Sequence, residues 1–175
     1  MATDDPEELP GLSQWPAQSN TVHVLHPGDV ALAFEGERLE TLLGSCVAVI
    51  LTDARRSIAA MCHIVHASEP KAADKGDTAY ASCAMQEMFT RLRTVGIVPE
   101  LCHAYVFGGG NMFPDLFPAQ HVGDANIRWV MDFLEQKQID VLAQSVGGDV
   151  YRHVGWTVGA PELDIKTESV HTDDK

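Results

Sequence analysis

The sequence has few basic residues and no apolar run long enough to cross a bilayer. Its 175 residues include 12 Lys and Arg against 25 Asp and Glu, which gives a formal net charge of -13 at pH 7. Basic side chains neutralise nucleic-acid phosphates and attract proteins to anionic membranes. We therefore expect no nucleic-acid partner and no membrane insertion. The acidic, proline-bearing N-terminus is unlike a secretion signal, so a cytoplasmic protein is expected.

The sequence also lacks a Cys-x-x-Cys pair. Its four cysteines are Cys46, Cys62, Cys83 and Cys102. A chain of this size without a secretion signal does not need disulfides, so we expect free thiols. Cys62, His63 and His66 resemble metal ligands, but neighbours on a strand point to opposite faces and no ligand pair supports them. A zinc site is the weaker interpretation, and no cofactor is expected.

The glycine segment Gly108-Gly109-Gly110-Asn111 does not match a phosphate-binding loop. It follows a predicted strand but lacks the Gly-x-Gly-x-x-Gly order and the Gly-Lys-Ser/Thr ending. We interpret these glycines as positions where the backbone passes close to a neighbouring segment or to a substrate chain. Gly108, Gly109, Gly110 and Asn111 are therefore candidates for a substrate cleft.

The hydrophobic pattern predicts one domain of mixed secondary structure. Strands are predicted at residues 21–25, 30–34, 101–107, 139–143, 150–158 and 162–167, and helices at 78–95 and 124–137. Asp77 should cap the first helix and Gly96 should end it. This order predicts an α/β (α+β) layered sandwich, with mixed β-sheets covered by two main helices. Residues 21–167 form the predicted domain, 1–20 an acidic, flexible N-terminal arm and 168–175 a C-terminal tail.

The stretch from residue 41 to residue 63 predicts a β-hairpin that carries a cysteine. Apolar and β-branched residues flank the polar segment 53–56, a pattern typical of strand, turn and strand. A turn centred between Ala54 and Arg55 would place Cys46 directly opposite His63, with Cβ atoms about 5 Å apart. A slip of one residue would move the two side chains to opposite faces.

Cys46 and His63 allow two interpretations. A thiol and an imidazole held this close can act as a nucleophile and its general base. The approach through Gly44 leaves backbone N–H groups at Ser45 and Cys46 that can hold an oxyanion. In the alternative, Cys46 is a small buried hydrophobic residue and His63 is a core histidine bonded to backbone. Spacing alone leaves both interpretations open.

Several motifs, taken in order, resemble the CheD family of chemotaxis receptor glutamine deamidases. They are Leu42-Leu43-Gly44-Ser45-Cys46-Val47-Ala48-Val49, His63, Phe107-Gly108-Gly109-Gly110-Asn111-Met112-Phe113, Gly123, Asn126, Gly147-Gly148 and Arg152. The resemblance extends over residues 22–166. It implies a layered α/β sandwich in which Cys46 is the nucleophile, His63 is the base and Thr41 is the third member of the site.

The resemblance also implies the reaction and its partners. Side-chain amides of glutamines on methyl-accepting chemotaxis receptors would be hydrolysed to glutamate through a thioester, a route that also permits hydrolysis of glutamyl methyl esters. A CheC-type phosphatase is implied as a further partner. One rival function is a non-catalytic regulator that binds this phosphatase or a receptor. Another is hydrolysis of glutamine on a different protein, because residues 64–68 depart from the apolar pair ending in Leu-Pro that usually follows the family's histidine.

Overall fold

The computed structural model describes residues 20–171. The strands are β1 (Val22–Leu25), β2 (Val30–Phe34), β3 (Arg38–Leu43), β4 (Val47–Thr52), β5 (Ile58–Ile64), β6 (His103–Gly108), β7 (Val141–Val146), β8 (Val150–Thr157) and β9 (Asp164–Ser169). The helices are α1 (Ala81–Thr94) and α2 (Val122–Gln136), with short 3₁₀ turns at Ala72–Asp74 and Pro99–Leu101. Residues 1–19 and 172–175, with most of the predicted arm and half of the predicted tail, lie outside the described residues. No helix in the described part of the chain has both the length and the apolar character of a membrane span.

The strands form two sheets that pack face to face. The four-stranded sheet has the order β1-β3-β8-β9, and the five-stranded sheet has the order β2-β5-β4-β6-β7. Both sheets are mixed, because β1 pairs with β3 in parallel and β6 pairs with β7 in parallel, whereas the other pairs are antiparallel.

Two apolar clusters lie on the two faces of the five-stranded sheet. The helix-side cluster packs α1 and α2 on the sheet and includes Val49, Met88 and Val130. The inter-sheet cluster joins the two sheets and includes Ile50 and Trp156. The layers are therefore helices, five-stranded sheet and four-stranded sheet, which confirms the predicted layered α+β sandwich.

Strand β4 is buried along its whole length. Val49 belongs to the helix-side cluster and its neighbours Ala48 and Ile50 belong to the inter-sheet cluster, because successive strand residues point to opposite faces. The strand lies between β5 and β6, so its edges are covered as well. This central position explains its uninterrupted apolar sequence.

Helix α1 begins later than predicted, at Ala81, and the predicted Asp77 cap is wrong. The Asp77 carboxylate instead accepts a hydrogen bond from the N–H group of Ala79 in a turn that precedes the helix. The Ala79 carbonyl in turn accepts from the N–H group of His66, which holds this segment against the end of β5. Gly96 ends the helix as predicted, with a φ of 82° that favours glycine.

The predicted hairpin is present, but its register differs by two residues. Strands β4 and β5 pair antiparallel with Ala48, and not Cys46, opposite His63. Cys46 lies in a bend just before β4. A two-residue shift preserves the face of every strand residue. Cys46 packs against the inter-sheet cluster, and the His63 ring bonds to Thr41 of the other sheet.

The register differs because the turn is wider than predicted. The Asp53 carboxylate accepts hydrogen bonds from the N–H groups of Ser57 and Ile58, and the antiparallel pairing starts only at Thr52 and Ala59. This Asx-type closure moves the turn centre one residue beyond the predicted position between Ala54 and Arg55.

Candidate active site

The chain crosses from one sheet to the other at Gly44-Ser45-Cys46, a segment that we call the cysteine bend. Strand β3 ends at Leu43 in the four-stranded sheet, and β4 begins at Val47 in the five-stranded sheet. The crossing leaves Cys46 partly buried against the inter-sheet cluster. The sequence pattern does not separate β3 from the hairpin, because the residues on both sides of the bend are apolar.

Thr41 and His63 meet between the sheets. Both residues are buried, with exposed fractions of 4% and 2%. Thr41 Oγ1 lies 2.8 Å from His63 Nδ1 and 2.8 Å from the carbonyl oxygen of Leu25. The hydroxyl has one proton and the carbonyl can only accept, so the hydroxyl donates to Leu25 and accepts from the Nδ1–H group. This pattern assigns the neutral His63 tautomer whose Nε2 is unprotonated and able to take a proton.

Burial favours the neutral forms of both His63 and Cys46. Burial lowers the pKa of His63, the Leu25 carbonyl and the Asp29 charge oppose that shift, and His26 adds to it. Burial also raises the pKa of the Cys46 thiol. Within residues 20–171, no hydrogen bond joins the Cys46 sulfur to the His63 ring. Both shifts favour a thiol and a neutral imidazole over a thiolate–imidazolium pair.

All three carbonyl groups of the cysteine bend accept hydrogen bonds from other segments. The Gly44 carbonyl accepts from the N–H group of Gly110, and the Cys46 carbonyl accepts from that of Gly109, both at 2.9 Å. The Ser45 carbonyl accepts from Nδ2 of Asn126 at 3.1 Å. In a trans peptide the carbonyl and the following N–H point in opposite directions, so the N–H groups of Ser45 and Cys46 point away from these partners.

Neither of these two N–H groups donates a hydrogen bond within the described part of the chain. Backbone donors without a partner beside a thiol have the arrangement of an oxyanion hole. The structure thus joins Thr41 to His63 by a hydrogen bond and places Cys46 against the same inter-sheet cluster, and the site role of these residues stays a prediction.

The glycine segment 108–111 packs directly on the cysteine bend. A Cβ atom at Gly108 would collide with the carbonyl oxygen of Cys46, and one at Gly109 would collide with the side chain of Ile127. Gly108 and Gly109 also have φ values of 107° and 68°, which favour glycine. The predicted close approach of backbone to a neighbouring segment is confirmed, and the neighbour is the bend itself. The substrate-cleft role of these residues stays a prediction.

An apolar pocket of about 340 Å³ opens beside the cysteine bend, and Ser45, Phe113 and Phe117 line it. Asn111 shapes its wall, because Nδ2 donates to the Phe117 carbonyl at 2.6 Å and Oδ1 accepts from the Phe113 N–H group at 3.1 Å. The exposed fractions of Phe113 and Phe117 are 63% and 52%. A larger depression on the four-stranded sheet reaches Thr41 but neither Cys46 nor His63.

Two further buried polar residues stabilise this region, and in the sequence they stand out only as motif positions. Asn126 on α2 donates from Nδ2 to the carbonyls of Ser45 and Val65. Arg152 on β8 donates to the carbonyls of Gly108 and Gly147, and burial lowers the pKa of its guanidinium. Their place in the motif order is the one sequence signal that could have identified them, because their partners are distant in the chain.

The structure does not bring the residues of the zinc interpretation together. Cys62 belongs to the helix-side cluster, whereas His63 points between the sheets, and burial raises the pKa of Cys62 to about 12. Residues 20–171 contain no group of three His, Cys, Asp or Glu side chains arranged to hold a metal ion. The four cysteines are free thiols.

Comparison with known proteins identifies the family of this chain. Residues 66–167 match the family model described as CheD chemotactic sensory transduction, a range that contains the glycine segment, Asn126 and Arg152 and begins just after His63. The chain is 34% identical over 134 residues to a probable chemoreceptor glutamine deamidase CheD of Pseudomonas fluorescens, covering 75% of this chain and 76% of the relative. A relative of the same name in Pseudomonas syringae pv. syringae gives the same values. A third, from Methanococcus maripaludis, is 31% identical over 127 residues, or 73% of this chain and 82% of the relative. Because the family model matches more than half of the chain and these relatives align with about three quarters of it, the chain belongs to the CheD family.

Proposed function

We propose that this protein is a chemoreceptor glutamine deamidase that hydrolyses side-chain amides of glutamines on methyl-accepting chemotaxis receptors. Cys46 is the nucleophile, His63 is the general base and Thr41 orients His63. The observation that carries this proposal is the Thr41–His63 hydrogen bond on the same side of the sheet as Cys46. The names of the relatives support the substrate class.

The reaction begins with two neutral groups. Nε2 of His63 takes the proton from Sγ of Cys46 while the sulfur attacks the carboxamide carbon of the glutamine. The Nδ1–H group of His63 remains hydrogen-bonded to Thr41, which keeps Nε2 in position. Because burial disfavours the charged forms of both groups, we infer that proton transfer accompanies the attack and does not precede it.

The tetrahedral intermediate carries its negative charge on the former amide oxygen. The N–H groups of Ser45 and Cys46 hold that oxyanion. The imidazolium of His63 then gives its proton to the leaving nitrogen, ammonia departs and a thioester with Cys46 remains. Water, deprotonated by His63, hydrolyses the thioester to glutamate and restores the thiol. A glutamyl methyl ester would react by the same steps, with methanol as the leaving group.

The substrate lies along the glycine segment and the neighbouring pocket. Ser45 lines this pocket and directly precedes Cys46 in the chain, so a substrate segment held in the pocket lies next to the cysteine bend. Backbone of Gly110 and Asn111 borders the same pocket, and Phe113 and Phe117 offer exposed apolar surface. An exposed apolar patch of this kind is typical of a protein contact.

The proposal is tested with a receptor cytoplasmic fragment and mass spectrometry. Incubation with the wild-type protein should cause, at each target glutamine, the small mass gain that follows from replacing NH₂ by OH. C46A should abolish the gain, whereas C83A, which removes a partly buried thiol on α1, should retain it. The same gain with Cys46→Ala would contradict the nucleophile assignment.

The CheC-type phosphatase stays a prediction of the resemblance. Contact regulation without catalysis would survive the loss of the Cys46 thiol, so the C46A protein distinguishes the two roles. Pull-down of the phosphatase by wild type and C46A alike, together with loss of deamidation in C46A, would show that both roles coexist. Deamidation of unrelated proteins in preference to receptor fragments would instead contradict the substrate class.

A further inference from the structure

Asn126 lies on α2 and is buried, with 1% of its surface exposed. It lies between the cysteine bend and the segment that follows His63. Its Nδ2 atom is 3.1 Å from the carbonyl oxygen of Ser45 and 3.1 Å from that of Val65. An amide NH₂ group has two hydrogens, and both are used here. One hydrogen bond reaches the residue before Cys46, and the other reaches the segment that follows His63.

The hydrogen bond to Ser45 determines the direction of a backbone N–H group. The Ser45 carbonyl and the Cys46 N–H group belong to one planar peptide unit and point in opposite directions. Asn126 binds the carbonyl on the α2 side, so the N–H group of Cys46 points away from α2 and has no partner within the described part of the chain. The flanking peptides are held by Gly109 and Gly110, whereas the Ser45–Cys46 peptide is held by Asn126.

A packing role does not account for an asparagine at this position. The Oδ1 atom of Asn126 is buried and has no hydrogen-bond partner among the described residues. Burying an unpaired carbonyl is unfavourable. A leucine has a similar shape and would fill the space without that unfavourable group, so the two donated hydrogen bonds are what distinguishes asparagine here.

We propose that Asn126 is a positioning residue for deamidation, which orients the Ser45–Cys46 peptide so that the Cys46 N–H group faces the developing oxyanion. This inference rests on the proposed function of Cys46. The hydrogen bonds of Asn126 reach backbone carbonyls and not the reacting sulfur. It acts through the peptide group that it holds.

The test compares a reaction that forms an oxyanion with one that does not. In Asn126→Leu, kcat for the receptor fragment should fall about 10²-fold, the effect of losing one oxyanion donor, while KM stays unchanged. Alkylation of Cys46 by iodoacetamide is a displacement at carbon that forms no oxyanion, so its rate, followed at the Cys46 peptide by mass spectrometry, should match that of wild type.

Two further variants keep the test decisive. N126D has nearly the shape of asparagine but lacks the NH₂ donors, and it replaces N126L if the leucine protein does not fold. T52V is the matched control, because the buried Thr52 hydroxyl also donates to a backbone carbonyl, that of Ile58, at the far end of β4. T52V should lower the melting temperature and leave kcat unchanged.

The outcomes separate the inference from the proposed function. Wild-type kcat in a folded Asn126 variant would overturn the inference alone. An equal loss of deamidation and of Cys46 alkylation would also overturn it, because Asn126 would then hold the thiol or the fold. Absence of a mass gain with the wild-type protein would overturn the proposed function, and the inference with it.

Discussion

Thr41 is the residue on which the proposed chemistry of His63 depends. Its hydroxyl is committed as a donor to the Leu25 carbonyl, so towards His63 it can only accept. Because the Leu25 carbonyl accepts the hydrogen bond of the Thr41 hydroxyl, the hydroxyl accepts from Nδ1–H of His63. The unprotonated Nε2 is then free to act as a base. This is the orienting role that the third member of a catalytic triad has.

Thr41→Val should remove this orientation with little change in side-chain shape. We expect kcat to fall about 10²-fold, at the lower end of what a positioned general base contributes. Thr41→Ser keeps the hydroxyl, so its kcat should stay near the wild-type value. Initial rates of glutamine deamidation measure both variants, and an equal loss in T41S and T41V would contradict the hydrogen-bonding role.

The depressed pKa of His63 predicts how activity depends on pH. The base is active when neutral, and burial holds its pKa below the ordinary value of 6.5. The acid limb of kcat/KM should therefore lie below pH 6.5, since kcat/KM reports groups of the free enzyme. An acid limb of kcat/KM above pH 6.5 would show that burial does not lower the pKa of His63.

The same shift predicts how His63 affects stability. Below pH 6.5 the unfolded chain binds a proton at His63 before the folded protein does, so the free energy of unfolding falls as the pH is lowered from 6.5 to the folded-state pKa. H63Q cannot titrate and should lack this part of the pH dependence. Melting temperatures of the two proteins across this range measure the difference, and parallel curves would contradict the assignment.

At the scale of elements, the cysteine bend owes its conformation to the glycine segment that packs on it. The N–H groups of Gly109 and Gly110 bind its carbonyls, and Gly108 approaches the Cys46 carbonyl too closely for any side chain. Arg152 fixes the other side of the segment by donating to the Gly108 carbonyl. The geometry of the proposed site therefore depends on segments far from it in sequence.

Gly108→Ala should be more damaging than Gly147→Ala. Both glycines have positive φ values, 107° and 74°, but a Cβ at Gly108 collides with the Cys46 carbonyl and one at Gly147 meets no atom within 4 Å. Backbone strain of ~1–3 kcal/mol is common to both variants, and displacement of the bend is specific to Gly108→Ala. Urea unfolding and Cys46 alkylation compare the two. Equal losses in stability and alkylation would show that the close approach is unimportant.

At the scale of the whole molecule, the exposed aromatic residues Phe113 and Phe117 of the pocket form the surface that we propose for the protein substrate. Phe117→Ser should raise KM for the receptor fragment about tenfold, the factor given by ~1.4 kcal/mol of lost binding, without lowering kcat. Leu101→Ser is the matched control, since Leu101 is 75% exposed near the opposite end of β6. Steady-state kinetics measure both, and an equal rise in KM would show that the effect is not local.

The sequence determined the two helices and most of the strands, because each depends on local periodicity. The apolar run before residue 53 indicates a hairpin strand, and the helical spacing of Ala84, Met88 and Leu92 indicates the buried face of α1. It also indicated the hairpin of β4 and β5, because apolar residues flank a polar turn, although the register differs by two residues. The ordered motifs indicated the family.

The tertiary structure alone decided how the site is assembled. Thr41 meets His63 because β3 pairs in the four-stranded sheet while β5 pairs in the five-stranded sheet. The hairpin register depends on the hydrogen bonds by which the Asp53 carboxylate closes the turn. Asn126 and the glycine segment reach the cysteine bend from distant parts of the chain. These contacts join residues without a common periodicity. Local sequence patterns carry no information about such pairings, and packing of the layers brings the residues together.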